Sequence, residues 1–309
     1  MSRRSFRLPA DVNSGEDGLR GWIQGGQYRV LSSTGAGHAV LGDFSYDDVA
    51  SYLAFDFQRF AMASLESHVA CAVEVGDAAS LGWVLVKAYY SAFFAAHTII
   101  RVTGRGFIRF DSNQASFLNA VAALYVQPDA GISAGNYAFD LATNASDLAE
   151  MRIRRSPDSS GTHDMFWRYF LVFLRGIEDE VVQQGDPDQS AILAQTNLLH
   201  SLLAPPGYSN GSWLSFIRNE INYRHNFGVW LPRSLSRSER DFILNGRLSV
   251  RPRTDFEARR EPIRAFLSAC RSLARLSFDV TSEVVDRIDD RRARFPQTWR
   301  RLSQLALAP

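Results

Sequence analysis

Apolar residues recur at helical spacing along most of this chain. From Tyr46 onward, Val49, Tyr52, Leu53, Phe57, Phe60 and Leu65 fall on one broad helical stripe. Ser45 suits an N-cap for that helix, Asp47 and Asp48 suit its first turn, and Gly76 ends the pattern just after Val75. A second helix is predicted over about 79–103, apolar nearly all round and therefore buried on most sides, with Gly104 at its end. Further helices are predicted at about 113–126, 144–152, 162–184, 189–203, 211–227, 236–244, 255–286 and 296–307. Breakers part several of them, among them Gly185-Asp186-Pro187-Asp188 and Pro205-Pro206-Gly207. Residues 1–44 are rich in Gly and Ser, and a short strand near 25–31 followed by a turn is the only extended segment expected. The pattern as a whole predicts an all-α protein, a helical bundle without internal repeats.

Composition narrows the class. Of 309 residues, 46% are hydrophobic and 12% aromatic, enough for a sizeable core and incompatible with a disordered or collagen-like chain. Cys71 and Cys270 are the two cysteines, and no His or Cys cluster has ligand spacing, so a zinc ribbon or thioredoxin-type site is excluded and no metal or cofactor is expected. The charged start, Met1-Ser2-Arg3-Arg4, runs into no apolar signal core, which points to a cytoplasmic protein. The apolar run 83–100 carries Lys87, Ser91, His97 and Thr98, a load that suits a buried bundle helix better than a bilayer span.

Charge divides the chain. Residues 1–230 hold 17 basic and 23 acidic groups, net −6, whereas 231–309 hold 17 and 10, net +7. The basic C-terminal part is the better candidate for a polyanion-facing surface, the alternative being a solvated arginine-rich helical surface. Three regions follow: an N-terminal arm over 1–44, a helical core over 45–230, and a basic C-terminal helical extension over 231–309.

Candidate chemistry concentrates between Asn210 and Gly228. Trp213, Phe216, Ile217 and Ile221 would anchor a helix there, with Ser212 as its cap. At about 100° per residue, the seven steps from Arg218 to His225 bring the two within about 20° of one face, with Asn222 between them. Asn219 flanks that stripe, and Glu220 and Arg224 are i,i+4 partners elsewhere on the helix. A guanidinium is a permanent planar fork for a phosphate or a pentacoordinate transition state. An imidazole titrates near neutrality and can take a proton from a hydroxyl nucleophile. RNA carries that nucleophile itself, as the ribose 2′-OH, so such a pair can cleave RNA without a metal.

Arg218-Asn219 followed by His225 resembles the Arg-x(4–6)-His signature of the HEPN superfamily. Lys87-Ala88-Tyr89-Tyr90-Ser91-Ala92-Phe93-Phe94-Ala95-Ala96-His97 resembles the early tyrosine-bearing helix of the same superfamily. The resemblance implies a compact HEPN-type helical bundle, here interrupted by an insertion in parts of 105–160 or of 185–208, because Tyr89 and Arg218 lie farther apart than in a minimal domain. It also implies a metal-independent endoribonuclease of a toxin–antitoxin or antiviral-defence system, with a composite active site in a homodimer. Arg218 and His225 would be the catalytic pair, Asn219 would orient the histidine or the RNA, and Asn222 would contact substrate. An antitoxin or other regulatory protein would be a partner. The alternative is a catalytically idle module of similar fold that binds RNA, nucleotide or protein.

Other polar groups carry blander expectations. Thr162-His163-Asp164 reads as a helix start, His97 as a hydrogen-bonded core or interface histidine, and Tyr89 and Tyr90 as packing residues before site-lining ones. His38, His68 and His200 lack acidic or thiol partners at ligand spacing.

Overall fold

The computed structural model describes residues 18–34, 36–72, 80–125, 130–143, 148–157, 161–245, 248, 253–288 and 293–307. In chain order the elements are α1 (Leu19–Gly25), β1 (Arg29–Ser33), β2 (His38–Gly42), α2 (Tyr46–Ala72), α3 (Leu81–Arg101), β3 (Arg105–Phe110), α4 (Ser112–Leu124), β4 (Gly135–Thr143) and β5 (Ala149–Arg155). They continue with α5 (Thr162–Gln184), α6 (Gln189–Leu203), α7 (Trp213–Asn222), a 3₁₀ turn at Asn226–Gly228, α8 (Arg237–Leu244), α9 (Pro262–Asp286) and α10 (Arg294–Leu307). Contacts gather the described parts of Met1–Arg59, His97–Met165 and Ile288–Phe295 into one compact unit, and those of Phe60–Ala96, Phe166–Arg287 and Pro296–Pro309 into another.

The first unit corrects the all-α expectation. It holds a five-stranded antiparallel sheet in the order β1-β2-β5-β4-β3. Its strands alternate with period two: Met151 and Ile153 are buried while Arg152 and Arg154 are exposed, and Tyr137, Phe139 and Leu141 face the same core. Leu19, Trp22 and Ile23 of α1, Val49 and Leu53 of α2, and Leu118, Val121 and Ala122 of α4 complete that core. The helix expected at 144–152 is thus strand β5 where the chain is described, and the arm expected without firm structure contains α1 and the β1–β2 hairpin. The segment between α3 and α5, one of the two stretches expected to hold the insertion, supplies β3, α4, β4 and β5.

Two local devices fix the sheet and its helix. Asp111 caps α4 by accepting from the Gln114 N–H at 2.9 Å, while Gln114 Oε1 accepts from the Asp111 N–H at 3.0 Å, a reciprocal capping box. Arg101, 2% exposed, seals the free edge of β3: its guanidinium donates to the carbonyls of Arg105 and Phe107, both at 3.3 Å, and stacks over the Phe139 ring. Gly106 leaves the room, since a Cβ there would collide with that guanidinium. Asp56, equally buried, pairs with Arg101 at 3.4 Å and with the more exposed Arg59 at 2.9 Å.

The second unit is helical among the described residues. Its centre is aromatic: Tyr89 of α3 contacts Phe93, Trp167 and Phe266, and Trp167 Nε1 donates to the Tyr89 hydroxyl at 3.0 Å. Ser64 and Ser91 exchange hydroxyl-to-carbonyl hydrogen bonds, 2.9 Å each, between α2 and α3. α9 packs against α6, α7 and α8 and starts with Pro262 in its first turn, where a missing N–H costs nothing. It therefore begins seven positions later than the expected 255. α3 is long and apolar enough to cross a membrane, and 72% of its most apolar window is buried within the protein.

Candidate functional site

α7 and the turn after it carry the candidate residues, all within the second unit. Trp213, Leu214, Ile217 and Ile221 are buried and hold α7 in place, and Trp213 Nε1 donates to the Leu202 carbonyl at 2.8 Å. Phe216, expected among the anchors, is 42% exposed. Ser212 makes no side-chain cap; its hydroxyl donates to Asn210 Oδ1 at 2.7 Å.

The expected helix over 211–227 is corrected. α7 stops at Asn222, and His225 takes a left-handed conformation with φ 53° and ψ 30°. Phe227 and Gly228 also have positive φ, at 68° and 61°, so no helix can run through this stretch. Long-range partners explain the break. The Trp230 indole N–H donates to the Ile221 carbonyl at 2.7 Å, a group that a continuing helix would claim. The Glu220 carboxylate, buried, accepts from Arg224 at 2.6 Å, as i,i+4 spacing predicts, and also from the Asn226 amide. His225 therefore does not share a helical ridge with Arg218. It is exposed, and its ring centroid lies 5.6 Å from that of Trp230.

Arg218 is 7% exposed. Its guanidinium carbon sits 5.2 Å from the Tyr89 ring centroid and 5.9 Å from those of Tyr90 and Tyr223. Nη1 donates to Asn219 Oδ1 at 2.9 Å and lies 3.5 Å from the Tyr223 hydroxyl, while Nε has no hydrogen-bond partner. Among the described residues no carboxylate pairs with this guanidinium. Its surroundings are three ring faces and one amide, each neutral. Cation–π contacts of this desolvated kind are worth about 2 kcal/mol, less than the several kcal/mol that burying a cation costs. The box therefore holds a cation without neutralising it, and an anion is its natural complement. Asn219 and Tyr223 are exposed and carry the box to the surface; Asn222, at the last position of α7, is half-buried. Burial holds the Tyr89 hydroxyl well above the ordinary tyrosine range, against the lowering pull of Trp167, Arg218 and Ser215, so Tyr89 acts as a neutral ring.

Sequence spacing missed three participants. Tyr223 and Trp230 carry no local pattern that marks them, and Glu220 was legible only as the partner of Arg224. Tyr89 and Tyr90, read as packing with a site-lining role as the alternative, do line the guanidinium box. His200 has a partner that spacing hides, Glu178 at 3.6 Å.

A second polar cluster lies elsewhere in the same unit. His68, Cys71 and Arg271 line a small cavity with Val84, Ala88, Ile243, Leu244 and Leu267. Arg271 donates to the carbonyls of Phe242 and Ile243, and His68 Nε2 has no partner. Burial, reinforced by the Arg271 charge, pushes His68 down to about 4. An unfolded histidine titrates near 6.5, so between these values the unfolded chain binds a proton that the folded one refuses. Stability from this residue is complete above pH 6.5 and is lost as pH falls through 4, by on the order of 3 kcal/mol. Urea unfolding at pH 7.5 and 4.5 checks this: the loss in the native protein should exceed that in His68→Gln by about this amount.

Among the described residues no three His, Cys, Asp or Glu side chains gather to hold a metal ion. No family model, no curated protein and no solved structure matches this chain.

Proposed function

We propose that this protein is a metal-independent endoribonuclease of HEPN type, acting as a toxin or antiviral-defence effector. The observation that carries the reading is Arg218, a buried guanidinium held by neutral groups beside the exposed residues Asn219 and Tyr223. A phosphodiester supplies the missing anion. His225, exposed in a turn with left-handed residues at His225 and Phe227, supplies the proton acceptor. Positive-φ residues of this kind are costly and concentrate where function holds them.

In the proposed reaction His225 takes the proton of a ribose 2′-OH. The 2′ oxygen attacks the adjacent phosphorus and the bond from phosphorus to the 5′ oxygen breaks. The products are a 2′,3′-cyclic phosphate and a 5′-hydroxyl, the latter receiving a proton from a protonated imidazole or from water. Arg218 balances the charge of the pentacoordinate phosphorus. Asn219 orients the guanidinium that it already accepts from, and Asn222 borders the substrate. A homodimer would bring two such sets of residues together, and an antitoxin or other regulatory protein would keep them silent.

A second reading, a non-cleaving RNA- or nucleotide-binding module, draws on the depth of Arg218, which also suits a purely structural cation. Incubation of the purified protein with RNA in EDTA separates the two. Cleavage that persists in EDTA, leaves cyclic phosphate ends and disappears in both Arg218→Lys and His225→Ala supports the nuclease. Binding without cleavage supports the module.

A further inference from the structure

On α3 Tyr89 is buried and Tyr90, Phe93 and Phe94 are half-buried, whereas Trp83 in its first turn is 51% exposed. Its indole meets Trp230 edge-on, with centroids 5.7 Å apart and planes at 90°. Trp230 is itself fixed. Its N–H is held by the Ile221 carbonyl at 2.7 Å, and its ring lies over Gly82, where a Cβ would sit 2.5 Å from the ring. The His225 imidazole contacts its ring at 5.6 Å. Three rings, two from the connection after α7 and one from α3, thus form a rank that runs His225, Trp230, Trp83. Arg224, 69% exposed at its side chain, and Tyr223, 70% exposed, belong to the same turn as the imidazole.

We propose that Trp83 is the stacking platform for an unpaired nucleobase of the RNA strand whose phosphodiester is engaged at Arg218 and His225; this rests on the nuclease reading above. A rigid indole that keeps half its surface in water offers a π-face at little entropic cost, and every base has a face to match it. The rank ends at the imidazole, so a base on Trp83 places its own strand beside the groups that handle the sugar and phosphate. A duplex cannot use such a platform, because its base faces are already stacked; unpaired loops and single strands can. The substrate class that follows is single-stranded or looped RNA, bound with little base preference.

A dye-labelled single-stranded oligodeoxynucleotide, which lacks the 2′-OH and cannot be cut, reads the platform without reading catalysis. Anisotropy titration should show Trp83→Ala binding about 5- to 150-fold more weakly than the native protein, with Trp83→Phe intermediate. A strand with abasic positions should bind the native protein about as weakly as the complete strand binds Trp83→Ala. Equal affinity of the native and Trp83→Ala proteins for the complete strand, with helicity by circular dichroism unchanged, overturns the platform, even if RNA is cleaved in EDTA. Weakened binding in Trp83→Ala with no cleavage of RNA by the native protein keeps the platform and removes the nuclease.

Discussion

If the proposed nuclease reading holds, RNA cleavage in EDTA should fall by about 10²- to 10⁴-fold when His225 is replaced by asparagine or alanine, the range that a positioned general acid or base contributes. The loss should appear in kcat and leave KM nearly unchanged, because in the proposed reaction the imidazole acts on the 2′-OH proton and does not carry the weight of binding. Asparagine is the sharper of the two variants. His225 sits at positive φ, which asparagine tolerates better than alanine, so the turn survives while proton transfer does not. The side chain is exposed, and stability should therefore stay within about 0.5 kcal/mol. Full activity in His225→Asn would remove the histidine from the reaction.

The largest stability effect lies in the other unit. Arg101→Met strips a buried cation from Asp56 and exposes the β3 edge carbonyls of Arg105 and Phe107. Breaking a buried pair by removing one partner costs about 3–5 kcal/mol, since the remaining carboxylate is stranded. Arg59 still reaches Asp56 but is half in water, so it offsets little of this. Urea denaturation checks the size. Adding Asp56→Asn to Arg101→Met should recover part of the loss, because the stranded charge is then gone; no recovery would put the cost in the strand edge instead.

The long helices were legible because their stripes are long and their breakers plain. α5 and α6 run over 162–184 and 189–203, where the pattern and the Gly185–Asp188 break place them. The sheet was not legible. In Ala149-Glu150-Met151-Arg152-Ile153-Arg154-Arg155, good helix formers and an i,i+3 spacing from Leu148 to Met151 mask a two-residue alternation over few positions. Only the pairing of β5 with β2 and β4 decides between them. At the candidate site, the residue types and the Glu220–Arg224 pair could be read from spacing. The end of α7 could not, because Trp230 determines it from beyond the helix and Gly82, on another helix, makes the room.

The sheet's two outer strands also bear on how copies of this chain can meet. One is closed by Arg101; the other, β1, is short, bulges at Leu31 and carries Arg29 paired to Asp43 at 3.0 Å. Both margins thus refuse an incoming strand, which guards against ribbon-like polymerisation. If copies of this chain associate, strand addition at the sheet's margins is therefore not the expected route, and side-chain packing is.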